Sequence, residues 1–354
     1  MTKPPAQVNA TQPMTPPRVS GGMMRVSILT ELPSLLREMG QDPDRLLDEL
    51  GLDPALLVES ENTLPFRVTG NLLSHCVMRT GCAHFGLLLG QRGGTSTLGT
   101  VGLLARSSPD VGSALRNLIK HLHHHDQGAV PYLSVHGNTA LLGYAIYEKE
   151  APAADQIYSA AMAITFTIMR ELCGSGWRPS EVLLPFRKPG DVAPFRQYFR
   201  APLRFDADQA ALAFPAAWLN RALHSADQEV RHQIAAMLVG HERSDFTSRT
   251  RRAVRAMLAQ GQFSEERLAH RFGVSRRTLI RQLRQEGTSF HALLREIRLD
   301  VTCLMLRDTD NAIEHIAVSL GYANASSFTR AFRNWTGQTP ADWRKRDAAE
   351  SVSR

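Results

Sequence analysis

Cysteine is scarce: Cys76, Cys82, Cys173 and Cys303 are the only four in 354 residues, with no CxxC pair and no metal-finger spacing. Scattered thiols in a chain of this length suit a reducing compartment and exclude a disulfide framework as the organising device. No apolar run approaches the ~20 residues that a membrane helix needs. The first residues carry one Lys and several Pro but no hydrophobic core of the kind that directs export. A cytoplasmic protein without a membrane partner is therefore expected. The sequence also lacks a nucleophile elbow, a Walker loop and a His-Glu metal motif. Gly90-x2-Gly93-Gly94 is too loosely spaced for a phosphate loop and reads as a turn. No catalytic residue and no cofactor follow from it, so the chain does not read as an enzyme.

Acidic residues run short in one part of the chain. From Ser244 to Arg346 there are 18 Lys and Arg against 10 Asp and Glu, a net charge of +8, while the remainder carries −1. A basic third beside a neutral two-thirds reads as a polyanion-binding module attached to a second domain. Residues 1–22, rich in Pro, Thr, Gln and Gly, read as a disordered tail. From Met23 the pattern alternates. Ser27–Met39, Pro43–Leu50, Thr69–Arg79, Val111–Leu122 and Ala153–Cys173 read as helices. Tyr132–His136 and Ala140–Tyr147 flank Gly137-Asn138 as a hairpin, and Val182–Phe186 and Leu203–Phe205 read as further strands. The expected organisation is an α+β domain over 23–225, a linker over 226–243, an all-α domain over 244–346 and a tail over 347–354.

Ser264 to Leu283 carries the sharpest local pattern. Leu268, Ala269 and Phe272 form an apolar face, Gly273-Val274 breaks the helix, and Ser275 is placed to cap the next one. Two helices that cross closely favour a small residue such as Ala269, and the tight turn after it favours Gly273, which adopts a left-handed backbone without a Cβ clash. Leu279 and Leu283 point inward. Arg276, Arg277, Ile280, Arg281 and Arg284 then fall on the outer side, where guanidinium groups suit the base edges of a major groove. A solvated basic face on an ordinary helical hairpin is the plainer alternative for this segment alone.

The pattern occurs twice. Ile313 to Phe332 repeats it 48 residues later, with Ile316 and Ala317 inside, Gly321 at the turn, and Phe328 and Phe332 inward. Asn311 and Glu314 are spaced as a capping box. Asn324, Ser326, Thr329, Arg330 and Arg333 are the candidate contact residues of this copy. Between the copies, Phe290–Leu306 has helical spacing and at 1.5 Å per residue spans ~25 Å. Such a connector suits two reading helices about one DNA turn apart. The arginines at 249, 251, 252 and 255, in a helix ahead of the first copy, read as plain surface charges. The expected fold class is thus an α+β amino-terminal domain followed by an all-α DNA-binding domain, in which a connector helix joins two helix-turn-helix units.

Across about 100 residues the carboxy-terminal part resembles the AraC/XylS family of bacterial regulators. The first unit carries this through Leu268-Ala269-x3-Gly273-Val274-Ser275-x2-Thr278-Leu279-x-Arg281-x-Leu283, and the connector through Arg298-Leu299 and Met305-Leu306. The second unit carries it through Ile313-x2-Ile316-Ala317-x3-Gly321-Tyr322, Ser327-Phe328-x-Arg330-x-Phe332 and Gly337-x2-Pro340-x2-Trp343-Arg344. Thr302 stands where the family's connector usually has Ala, and Trp343 where Tyr or Phe is commoner.

The amino-terminal part resembles the effector domain of the ornithine-utilisation-regulator type, through Leu98-Gly99-x2-Gly102, Ser107-Ser108-Pro109-x5-Ala114-Leu115, Gly176-Trp177-x-Pro179 and Pro202-Leu203-x-Phe205. These resemblances imply a transcription regulator, commonly an activator, that binds double-stranded promoter DNA and engages RNA polymerase. They also imply a small-molecule effector, of amino-acid-like character if the ornithine-type resemblance extends to the ligand, and dimerisation as an accompanying role. The effector-binding residues are not legible. One alternative is a metal-responsive or effector-independent regulator, because His121, His123, His124, His125 and Asp126 are good zinc or nickel ligands. The simpler reading places that cluster at a helix end facing water, with no metal.

Overall fold

A computed structural model describes residues 22–146, 148, 151–223, 234, 246–259 and 264–352. The expected tail over 1–22, apart from Gly22, and the expected linker over 226–243, apart from Ile234, lie outside the described residues.

The amino-terminal part opens on a small antiparallel sheet of β1 (Met23–Arg25) and β2 (Thr63–Pro65). Six helices precede the main sheet: α1 (Leu32–Glu38), α2 (Pro43–Glu49), α3 (Phe66–Thr80), α4 (Phe85–Gly90), α5 (Gly99–Arg106) and α6 (Val111–His121). Asp42 and Asp110 start α2 and α6 by accepting backbone N–H groups of the first turn. The main sheet is built from β3 (Ala129–His136), β4 (Thr139–Ile146), β5 (Glu181–Leu183), β6 (Leu203–Arg204) and β7 (Ala210–Pro215). Its order is β3-β4-β7-β5-β6, antiparallel except for the parallel β5–β6 pair. β3 and β4 form the expected hairpin, closed at His136 and Thr139 around Gly137-Asn138. Helix α7 (Ala154–Cys173) lies on one sheet face and ends at Gly174, and α8 (Ala193–Phe199) follows β5. At the centre of this core Trp177 lies tilted against Phe166 of α7 and edge-on to Phe214 of β7, with ring centroids 5.9 and 5.8 Å apart.

The carboxy-terminal part is helical throughout its described residues: α9 (Phe246–Ala259), α10 (Glu265–Arg271), α11 (Arg276–Gln285), α12 (Phe290–Asp308), α13 (Ile313–Ser319), α14 (Ala325–Thr336) and α15 (Pro340–Val352). Helix α15 runs to Val352, so the expected tail over 347–354 is helical as far as that residue. Ser264, Ser275, Ser289 and Asn324 each accept the backbone N–H three residues on and so cap α10, α11, α12 and α14. The capping box expected from Asn311 and Glu314 does not form. Helix α13 starts one residue later, with Ala312 at the cap position, and the Asn311 backbone N–H donates to Thr309 Oγ1 instead.

Two further expectations give way to packing. Arg251 and Arg255 are not plain surface charges: Arg251 pairs with Glu296, and Arg255 is buried against Asp300 of α12 at 3.3 Å, both side chains at most 6% exposed. His121 and Asp126, at the two ends of the histidine cluster, do not face water either. Strand β1 crosses the cluster, with the Arg25 N–H donating to His125 O and the Gln127 N–H donating to Met23 O, both at 2.8 Å. His121 and Asp126 are consequently 1% and 3% exposed.

The two parts dock. Val130 and Tyr132 on the second face of the sheet pack with Ala256 of α9. The end of α12 is held by Arg187, whose backbone N–H donates to Asp308 O at 3.1 Å and whose guanidinium donates to Arg307 O at 2.8 Å. Arg307 donates back to Ala151 O at 2.9 Å, and the Asp310 N–H donates to Asp206 at 3.0 Å.

Removing one partner of a buried ion pair strands the other charge, which typically costs ~3–5 kcal/mol. Arg255→Ala should therefore lower the unfolding free energy of the full chain by that order, read as a lower urea midpoint, whereas Arg249→Ala, an exposed neighbour, should change it little. A midpoint unchanged in Arg255→Ala would show that the pair contributes nothing. A second prediction concerns pH. Burial raises Asp126 to about 6 and lowers His125 to about 4. The raised aspartate makes stability fall as pH rises from about 4 to 6, while the depressed histidine makes it rise between about 4 and 6.5. The two slopes oppose each other, so Asp126→Asn should unmask a melting temperature that climbs with pH across that window. A flat profile in the variant counts against a buried neutral His125.

Candidate nucleic-acid interface

Both helix-turn-helix units are built by the same backbone device. In the first, Gly273 turns the chain with φ +64° and the Val274 N–H donates to Ala269 O at 3.1 Å. In the second, Gly321 has φ +78° and the Tyr322 N–H donates to Ala317 O at 2.9 Å. The 48-residue repeat of the sequence is thus a repeat of hydrogen bonds. An added Cβ at either glycine would have to sit in a left-handed backbone that L-residues adopt at a cost.

Packing then decides which side of each second helix faces out. Leu268, Ala269, Leu279 and Leu283 share one small core with Leu293 and Ile297 of α12. Ile316, Ala317, Phe328 and Phe332 share another with Cys303, Met305 and Leu306. Leu279, Leu283, Phe328 and Phe332 are fully buried, as their spacing predicts. Their burial leaves Arg276, Arg277, Arg281 and Arg284 exposed and Ile280 half-buried along α11, around one shallow concavity. On α14, Ser326, Arg330 and Arg333 are exposed and Thr329 is half-buried around a second. Two of the candidates already have protein partners. Arg276 pairs with Glu265 of α10 at 2.9 Å, and Asn324 accepts the Ser327 N–H at 2.8 Å as the cap of α14.

Gln285 and Asn334 line the same two concavities and were not singled out from the sequence. Their signal was available in the spacing, because each lies four residues after a candidate arginine, Arg281 or Arg330, on the same helix face.

The departures from the family pattern also find their reasons. Thr302 is buried, and its hydroxyl donates to Arg298 O at 2.7 Å, so the polar group it adds over Ala is satisfied within the helix. Arg298 lies over the Tyr322 ring at 4.9 Å, tying the connector to the second turn. Trp343 packs against the second core, and Arg344 donates to Leu306 O and Asn311 O, pinning α15 to the end of the connector.

Among the described residues no group of three or more His, Cys, Asp or Glu is arranged to hold a metal ion. The four cysteines are buried with free thiols, and burial pushes Cys76 up to about 12 and Cys173 up to about 11, away from thiolate reactivity. No described helix is long and apolar enough to cross a membrane.

Comparisons with known proteins give the family. Residues 40–223 match the model of the arabinose-binding domain of AraC transcription regulators, and residues 268–346 match that of a helix-turn-helix domain. The chain is 26% identical over 331 residues to the HTH-type transcriptional regulator VirS of Mycobacterium tuberculosis, covering 92% of this chain and 97% of that one. It is equally similar, 26% over 331 residues, to the ornithine utilization regulator of Pseudomonas aeruginosa, covering 91% and 96% of the two chains. The crystal structure of the transcriptional regulator CdpR from Pseudomonas aeruginosa covers 89% of this chain and 98% of its own, at 24% identity and a TM-score of 0.44. The chain belongs to the AraC family of transcription regulators, with an amino-terminal ligand-binding domain followed by a helix-turn-helix DNA-binding domain.

Proposed function

We propose that α11 and α14 read two successive major grooves of a promoter. In this reading Arg281 and Arg330 contact base edges, and Arg276, Arg277, Arg284, Arg333, Asn324, Ser326 and Thr329 share the remaining base and phosphate contacts. Ile280 is placed to meet a thymine methyl group. The observation that carries this reading is the matched pair of exposed helix faces, each set by an identical turn and joined by one continuous helix. At 1.5 Å per residue, the 19 residues of α12 span ~28 Å, close to the ~34 Å of one DNA turn. The Glu265 carboxylate paired with Arg276 would be exchanged on binding for a phosphate, which positions the protein without specifying sequence, or for a base edge, which specifies it.

Control would come from a small molecule bound in the amino-terminal domain, acting through the docked surface between sheet and connector. Only a ligand that binds the DNA-competent arrangement better than its alternative can shift the balance. Activation, by engaging RNA polymerase at the promoter, and pairing of two chains on the DNA complete the proposal.

The test is footprinting of the full chain on genomic DNA, followed by titration of the protected site. Protection on one face of the duplex in two segments one turn apart is expected. Arg281→Ala should weaken binding by ~1–3 kcal/mol and relax preference at one base pair, and Arg330→Ala should do so one turn away. Arg277→Ala, if it removes a phosphate contact, should weaken all sequences alike and lower the salt slope by about 1. Equal losses on specific and random DNA for both Arg281→Ala and Arg330→Ala would reduce those side chains to phosphate contacts.

A further inference from the structure

We infer that a cavity of about 120 Å³ between α3, α6, α7 and the β3–β4 hairpin is the effector site, and that it takes a small, uncharged, mainly aliphatic molecule carrying one hydroxyl or carbonyl group. The inference rests on the ligand-controlled reading above and adds to it a place and a ligand class.

The wall is almost wholly aliphatic: Leu73, Leu118, Leu142, Ile157, Ile164 and their neighbours supply it. Among the described residues no Lys or Arg lines it. A carboxylate entering this space would be stripped of water with no cation to receive it, so an amino-acid zwitterion is excluded in spite of the resemblance to an ornithine-responsive regulator. The polar groups in the wall are largely satisfied. Thr165 donates to Ala161 O at 2.7 Å, His125 Nε2 lies 3.2 Å from Ser27 Oγ, and Asp126 accepts from the Gly128 N–H and from the Tyr144 hydroxyl. Both Asp126 oxygens are thus already engaged by donors of the protein, which leaves Asp126 a poor receptor for an ammonium group.

Thr69 is the exception. It is 1% exposed on α3, lines the cavity, and its hydroxyl has no hydrogen-bond partner. Buried polar groups are as a rule paired, and a hydroxyl or carbonyl on a ligand would satisfy this one. Size follows from volume: an apolar cavity of ~150 Å³ holds the six carbons of benzene, so this smaller space suits about five non-hydrogen atoms. Tyr144 also gives the site a route outward. It lines this cavity and, in addition, a second space of about 250 Å³ bordered by Leu304, Met305 and Asp308 of α12. A ligand against Tyr144 therefore sits one side chain away from the connector between the two reading helices.

The experiment uses the full chain and the straight-chain alcohols from ethanol to 1-hexanol, titrated by calorimetry, with norleucine as a zwitterion whose side chain matches 1-butanol. Affinity should rise about fourfold with each added methylene, the transfer free energy of one CH₂, and stop rising near 1-butanol, where the cavity is full. Norleucine should neither bind nor displace 1-butanol. Ala161→Phe, which fills the space from α7, should abolish 1-butanol binding. Thr69→Val should weaken it about tenfold while raising the melting temperature of the ligand-free protein, since the unpaired hydroxyl is gone. Absence of chain-length dependence in the unaltered protein overturns the inference, as does displacement of 1-butanol by norleucine or an Ala161→Phe protein that binds 1-butanol normally. Binding of DNA is measured in parallel without any alcohol. Saturable, Ala161-dependent alcohol binding by a protein that binds no DNA would keep the cavity and sink the regulator reading. DNA binding with no alcohol binding would do the reverse.

Discussion

One helix ties the molecule together. The 19-residue connector α12 supplies side chains to three separate cores: Leu293 and Ile297 to the first helix-turn-helix unit, Met305 and Leu306 to the second, and Leu304 to the amino-terminal domain. Fully burying one such side chain is worth ~1.5–3 kcal/mol, so the orientation of all three bodies is fixed by residues only a few turns apart. Helical periodicity makes this possible. Successive residues near the end of α12 point in different directions, so Leu304, Met305 and Leu306 can each enter a different neighbourhood. A rotation or shift of this single helix would be felt in every core at once.

That coupling gives regulation a physical form. The amino-terminal domain grips the connector where its backbone carbonyls are free, through Arg187 on Arg307 O and Asp308 O, and receives Arg307 at Ala151 O in return. Helix ends present such unsatisfied acceptors as a matter of geometry. Exposed ion pairs contribute little by themselves, and the contact between the sheet and Ala256 is small. The docked arrangement therefore combines a few specific hydrogen bonds with limited apolar burial, and under the ligand-controlled reading proposed above a differential binding energy of a few kcal/mol would shift it.

The carboxy-terminal half was legible because its determinants are local. Ala269, Gly273 and Ser275 act on their own turn, and the capping serines act on N–H groups three residues away. The same locality explains the small errors. The Asn311–Glu314 box failed because the helix started one residue later than the spacing implied, a shift that costs little in propensity. Strand β7, Ala-Ala-Leu-Ala-Phe-Pro, carried no β-branched signal at all. It is a strand because β4 and β5 flank it on both sides and a fully buried position rewards small residues. Arg255 looked like its neighbours in the sequence, and only the placement of Asp300 across the helix pair buries it.

The sequence alone determined the fold class of the DNA-binding half, which faces of α11 and α14 stay exposed, and the family, since periodicity, turn glycines and caps act over three or four residues. Tertiary structure decided whatever depends on contacts between distant segments. Strand β1 pairs with the backbone at His125 and Asp126, about a hundred residues away, and buries Asp126, which the sequence offered as a metal ligand. The cavity beside it owes its chemistry to α3, α6, α7 and β4 meeting at one place. No window along the chain holds that information, because hydrophobic burial selects which residues face one another only when all four elements are assembled.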